Sequence, residues 1–212
     1  MSLLFFGDSF VYGQGYADCL PGPPDDPKFF STPSNLGWVS QVGKKLNLPY
    51  KNFSIPGGSN KEIFLRLQDT EINSDDIVII QWTYPNRDLL IDDDRRTFKI
   101  GPWLNTKISN NYYVTHSDSD IKHRSIMIIE HAALWLEYHN HQYIFLANDF
   151  CYYYSSLSNI IYDYERKYSV DEFECQHPGP KTNKKWATKV SSYIKGYIKN
   201  PHPRKILKRP IN

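Results

Sequence analysis

Two unbroken apolar runs, Leu3-Leu4-Phe5-Phe6 and Ile77-Val78-Ile79-Ile80, constrain the fold of this chain more than any other feature. A strand with one wet face alternates apolar and polar side chains. A run without interruption belongs to a strand covered on both faces, as in a parallel sheet. The second run is β-branched and entered from Asp75-Asp76, which makes it the strongest strand signal present. Pro49 to Ile55 and Tyr143 to Ala147 supply two further strands. Between these runs the apolar period becomes helical. Trp38, Val39, Val42 and Leu46 share one face, with Ser34 as a candidate cap. Ile63, Phe64 and Leu67 follow the turn Gly57-Gly58-Ser59-Asn60, where Ser59 or Asn60 can cap. Ile126, Ile129, Ala133 and Leu136 line a helix from about Ile121 to Asn140. Residues 151 to 165 read as a Tyr-rich helix, and a last helix runs from about Thr182 to Ile198.

Alternation of strands and helices predicts an α/β fold: a mostly parallel sheet with helices on both faces, in one domain spanning residues 1–212. Residues 84 to 118 show no clear period, carry Asp92-Asp93-Asp94-Arg95-Arg96, and read as an irregular insertion. Residues 13 to 35, rich in Gly and Pro, form a long irregular loop. In open sheets of this type ligands bind beyond the carboxyl ends of the strands. Gly7-Asp8-Ser9, Gly57-Gly58 and Trp82-Thr83 all fall at such ends, so three distant loops are expected on one rim.

Composition narrows the partners. A net charge of +2 argues for neither nucleic acid nor a membrane surface. No stretch approaches the roughly 20 apolar residues of a membrane span. Cys19, Cys151 and Cys175 are widely spaced with no CxxC pair, which speaks against a disulfide framework or structural zinc. No basic leader precedes Leu3, so the expectation is a soluble cytoplasmic protein; a virion component or delivered effector would carry the same signals. The basic cluster Arg204, Lys205, Lys208 and Arg209 reads as a solvated tail.

Chemistry concentrates at two points. Ser9 directly follows a buried strand, and a hydroxyl becomes a useful nucleophile when a base removes its proton. Its backbone N–H can also face a developing oxyanion if the strand ends in a tight turn, which Gly7 permits. The base should be a histidine held in one tautomer by a carboxylate. Glu174-Cys175-Gln176-His177-Pro178 offers that pair: Glu174 can turn back to His177 in a loop stiffened by Pro178 and Pro180.

Gly7-Asp8-Ser9-Phe10 resembles the first signature block of the SGNH, or GDSL, hydrolases. Asn52-Phe53-Ser54-Ile55-Pro56-Gly57 resembles their second block and Glu174-Cys175-Gln176-His177-Pro178 their last, in the family's order, over residues 3 to about 195. The resemblance implies a three-layer α/β/α sandwich of flavodoxin-like type. It implies hydrolysis of esters, often acyl or acetyl esters on lipids or carbohydrates, by a Ser9–His177–Glu174 triad. Gly57 would then donate an oxyanion N–H. The sequence departs from the family in having Glu174 where Asp is usual and Ser54 where the second block has its first glycine. The third block, Gly-x-Asn-Asp in the family, is replaced by Gln81-Trp82-Thr83-Tyr84-Pro85-Asn86-Arg87-Asp88. There Asn86 is the candidate third oxyanion donor, with the Thr83 hydroxyl as its rival.

Nothing in the pattern calls for a cofactor or metal. His131 and His139 are eight positions apart, which is not a metal-pair spacing, and Asp92-Asp93-Asp94 lacks the ligand spacing of known calcium loops. Asn52-Phe53-Ser54 is a glycosylation sequon by chance, and Cys175 lacks the setting of a thiol nucleophile. The expected partner is a small-molecule or carbohydrate ester. Two alternatives remain: a non-catalytic glycan-binding protein on the same fold using Trp82, Tyr84 and Trp103, or a lipid-acting esterase.

Overall fold

A computed structural model of the chain describes residues 1–19, 32–146, 160–161, 171–172 and 177–200. Its elements in chain order are β1 (Leu3–Phe6), α1 (Ser9–Tyr12), α2 (Trp38–Leu46), β2 (Tyr50–Asn52), α3 (Asn60–Gln68), β3 (Ile77–Gln81), β4 (Asp88–Ile91), β5 (Thr97–Ile100), α4 (Lys107–Thr115), α5 (Asp118–Tyr138), β6 (Gln142–Leu146), β7 (Ile160–Ile161) and α6 (Pro180–Lys199). Five strands form a sheet in the order β2-β1-β3-β6-β7, with every pairing parallel.

The apolar runs are buried on both faces because successive side chains point to opposite sides. Leu3, Phe5, Ile77, Ile79, Ile144 and Leu146 pack on one side against Trp38, Val39 and Val42 of α2 and Trp186, Val190 and Ile194 of α6. Leu4, Phe6, Val78, Ile80, Tyr143 and Phe145 pack on the other against Ile63, Phe64 and Leu67 of α3 and Ile129, Ala133 and Leu136 of α5. The result is the expected three-layer α/β/α sandwich of flavodoxin-like strand order.

The described residues amend several boundaries. Ile160–Ile161, inside the expected helix 151–165, pair in parallel with β6 as a strand; the rest of that span lies outside the described residues. The strand expected at Pro49 to Ile55 is confined to Tyr50–Asn52. Gly37, not Ser34, caps α2. The Ser34 hydroxyl instead accepts from Leu36 N (3.0 Å) and Gly37 N (3.1 Å) while donating to Asp18 (2.6 Å), so it orders the turn before the helix. Ser59 caps α3 in a reciprocal box with Glu62.

The insertion at 84–118 is an antiparallel hairpin, β4–β5, followed by α4. Its turn holds itself closed: the Asp92 carboxylate accepts from Arg96 N (2.8 Å) and Arg96 Nε (2.7 Å). Ile100, Tyr112 and Ile121 form a small core of their own. No helix among the described residues is long and apolar enough to cross a membrane.

Candidate active site

The chain leaves β1 toward the α2 face and β3 toward the α5 face, so a crevice opens between the ends of these adjacent strands. Gly7 begins the β1 loop. A Cβ there would come within 2.2 Å of Val11 Cγ2 and 3.1 Å of the Gln81 carbonyl oxygen, so only glycine admits this close approach. Asp8 then caps α1 by accepting from Phe10 N (2.9 Å), which makes Ser9 the first helical residue. Ser9 is almost wholly buried, at 5% exposure. Among the described residues neither its hydroxyl nor its N–H has a protein partner.

Gly57 stands at the end of the β2 loop. Ile55 O accepts from Gly58 N (2.9 Å), closing a turn with Pro56 and Gly57 at its centre, and Gly57 has φ +65°. Proline followed by a left-handed residue is the pattern of a type II turn. The loop is fixed to β1 through Ile55 N, which donates to Gly7 O (2.9 Å). It is fixed to α1 through the Asn52 amide, which donates to Val11 O (2.8 Å). Asn52 Oδ1 also accepts from Ser54 N (3.1 Å), so the amide of the sequon is engaged on both sides.

The His177 imidazole meets the Phe10 ring edge-on, centroids 5.5 Å apart. Its loop is pinned at both ends. Glu172 pairs with Pro178 in an antiparallel bridge, and Gly179 N donates to Asp171 O (3.0 Å). The Asp171 carboxylate accepts from Thr182 N (2.6 Å) and Lys181 N (2.9 Å) at the start of α6. Burial alone would raise that carboxyl's pKa, but these bonds and the Thr182 hydroxyl hold it below its ordinary value. Buried Asn183 donates to Pro178 O (2.6 Å) and Gly179 O (3.0 Å) and accepts from Trp38 N (2.8 Å), tying the His177 loop to α2. Glu174 lies outside the described residues.

The loop after β3 departs most from expectation. Asn86 is exposed in a turn, and its carbonyl accepts from the Tyr113 hydroxyl (2.5 Å). The Thr83 hydroxyl donates to Asp8 Oδ2 (2.6 Å), while Asn60 clamps the Thr83 backbone by accepting from its N–H (2.8 Å) and donating to its O (3.1 Å). Arg87, which the sequence reading passed over, donates from Nη1 to the same Asp8 oxygen at 2.7 Å, Asp8 being buried and Arg87 partly exposed. Its guanidinium also lies 4.8 Å from the Trp103 ring and 5.7 Å from that of Tyr84. The signal available was Asp8 itself: a buried carboxylate in the first motif requires a partner, and Arg87 is a cation in the loop facing it.

Trp103 and Tyr84 are half exposed and flank this guanidinium, but Trp82 is completely buried and edge-on to Phe145 (5.2 Å). Trp82 is therefore a core residue and cannot line a binding surface, contrary to its place in the glycan-binding alternative. Trp103 also borders Gly57: its Cζ2 lies 3.5 Å from where a Cβ there would stand. Burial and Asp18 push the Cys19 thiol up to about 11, which leaves it inert. His131 packs against Phe64 (5.1 Å) and His139 against Trp135 (4.6 Å).

This fold defines a class of doubly wound α/β proteins with a candidate site at the end of β1, and solved structures sharing the fold are esterases and GDSL-type lipases. An acetyl xylan esterase from the rumen bacterium Butyrivibrio proteoclasticus aligns over 93% of this chain and 64% of its own, at 14% identity and TM-score 0.59. This chain thus spans less than two thirds of that enzyme's length. The psychrotrophic esterase EstA from Pseudoalteromonas sp. aligns over 94% of this chain and 99% of its own, at 11% identity and TM-score 0.54. A GDSL-like lipase from Bacteroides thetaiotaomicron aligns over 92% and 88%, at 11% identity and TM-score 0.50. No protein-family model matches the sequence, and no curated protein matches it significantly.

Proposed function

We propose that the chain is a serine ester hydrolase. Ser9 Oγ bonds to the ester carbon, its proton passes to His177, and the carbonyl π pair moves onto oxygen. Collapse of that intermediate expels the alcohol, which takes the proton back from His177. Water then repeats the sequence on the acyl-enzyme. Glu174 orients the imidazole, and the N–H groups of Ser9 and Gly57 donate to the oxyanion. The supporting observation is the contact between the His177 ring and Phe10, the residue next to Ser9, at the ends of distant sequence segments. The acyl group is acetyl or another short chain on a carbohydrate or similar alcohol. The half-exposed Trp103 ring beside Gly57 suits an alcohol with a broad ring face, and an acetyl xylan esterase shares the fold.

The test is covalent labelling by a fluorophosphonate together with turnover of an ester panel from acetyl to long acyl chains. Ser9→Ala should abolish both while the chain stays folded. Unchanged turnover by a folded Ser9→Ala variant overturns the reading, and a preference for long chains moves it to a lipid-acting esterase.

A further inference from the structure

An oxyanion flanked by two backbone donors still needs charge stabilisation from the loop after β3, and neither polar side chain expected there is aimed to give it. The Thr83 hydroxyl has one proton, and Asp8 holds it (2.6 Å). Asn86 is exposed in its turn, with its backbone tied to Tyr113. A second difficulty is electrostatic. The Asp8 carboxylate is 1% exposed and adjacent to Ser9, so an oxyanion forming at Ser9 would grow beside a buried negative charge.

We propose that Arg87 fills both needs: it neutralises Asp8 and donates a second guanidinium N–H to the oxyanion. The geometry that assigns this is the position of the guanidinium between the two halves of the oxyanion site. One side is bonded to Asp8, the residue before Ser9, at 2.7 Å. The guanidinium Cζ is 4.8 Å from the Trp103 ring, which in turn borders Gly57. A guanidinium has five N–H donors in a rigid fork. Among the described residues only Nη1 of Arg87 has a protein acceptor, so donors remain for substrate. The Trp103 and Tyr84 rings, 4.8 and 5.7 Å from the guanidinium, hold the charge over the site by cation–π contact, the kind of fixed charge that electrostatic stabilisation requires. Arg87 thereby does what a side-chain amide does in the third block of the family that the sequence resembles, with a charge-assisted donor in place of a neutral one.

The inference rests on Ser9 being the nucleophile, so the experiment first asks whether the full chain labels with a fluorophosphonate and turns over p-nitrophenyl acetate. Failure there, with the wild-type chain, sinks the hydrolase reading and this inference with it. Given activity, Arg87→Met should lower kcat by about 10²-fold or more, the typical effect of removing one oxyanion donor, with KM within threefold. Arg87→Lys should recover part of that loss, and millimolar ethylguanidinium should restore turnover to Arg87→Ala, whose short side chain leaves its space open.

Removing Arg87 alone strands the Asp8 charge, and the chain can lose stability for that reason. The double variant Asp8→Asn/Arg87→Met removes both charges, and an amide at position 8 can still accept from Phe10 N. It should fold and remain as slow as Arg87→Met. Return of kcat to within threefold of wild type in the double variant would show that Arg87 only offsets Asp8, which overturns the donor role. So would a loss confined to KM, or a larger kcat loss in Asn86→Ala than in Arg87→Met.

Discussion

The parallel sheet and the 84–118 insertion meet at the candidate site, yet different forces hold them. The sheet is a stack of side chains with almost no exposure, in which Phe5, Trp38 and Trp186 interlock edge to face at centroid distances of 5.5 and 6.4 Å. The insertion adds only a small core, Ile100 and Tyr112 packed on Ile121 of α5, and is otherwise tied largely by polar contacts. Lys61 Nζ donates to Leu89 O (2.8 Å), Lys99 Nζ to Pro56 O (3.2 Å), and Tyr112 Oη to Asp88 (2.9 Å). The lesson is a division of labour. Apolar burial fixes the strand end where Ser9 stands, while a lightly held hairpin leads into the Trp103 wall beside it.

The comparison breaks most visibly in the sheet. Trp38→Ala should cost about 3–5 kcal/mol, as large aromatic truncations in close-packed cores do, and should lower the melting temperature of the whole chain in one transition. A stability change under about 1 kcal/mol, or a separate early transition, would show that α2 is not part of the cooperative core.

Gly7→Ala probes the seam between β1 and β3. The methyl must displace Val11 or the Gln81 backbone, an overpacking that costs about 1–3 kcal/mol. Because Ser9 begins two residues later, turnover should fall further than stability alone explains. Ester turnover per folded molecule is the measurement, and wild-type kcat in a folded Gly7→Ala chain refutes the seam's role.

Much of this was readable before the structure. β1, β3 and β6 announce themselves because a strand covered on both faces has no polar positions to blur it. β7 is only Ile160–Ile161, too short for any period to mark it, and it falls inside a Tyr-rich span that patterns like a helix. The hairpin β4–β5 hid for another reason: its register depends on Asp92 bonding back to Arg96, and in sequence these charges look like a solvated loop. Within the site, Ser9, Gly57 and His177 stood out because their motifs are local. Arg87 did not, because its meaning comes from Asp8, a partner 79 positions away in sequence.

A pH experiment sharpens the contrast at the His177 loop. The folded Asp171 carboxyl has a lowered pKa, so its contribution to stability is complete above the unfolded value of about 4 and is lost as pH falls through the lower folded value. Asp171→Asn should flatten the acid limb of a melting-temperature profile between roughly pH 5 and pH 2. An acid limb identical to wild type would place the acid sensitivity elsewhere.

The smallest effect is expected at the hairpin tether. Lys99→Ala removes a half-exposed contact to Glu62 (3.4 Å) and the bond to Pro56 O, and should cost under about 1 kcal/mol. Hydrogen exchange should speed up in β4 and β5 while the sheet amides keep their protection. Equal acceleration in both regions would merge them into a single cooperative unit.

Two of the hairpin's ties end on main-chain oxygens, those of Leu89 and Pro56. A bond to a carbonyl does not depend on which side chain its residue carries. Mutations can therefore accumulate along the solvent side of the hairpin without releasing it from α3, though not at Leu89, whose own side chain is buried. Under the proposed hydrolase reading, such an arrangement lets natural selection, or a directed-evolution library, vary the surface beside the candidate site while Ser9 and Gly57 stay where they are. If the chain is the proposed hydrolase, residues 88–103, the hairpin and the Trp103 segment it leads into, are the stretch in which to seek an altered ester preference.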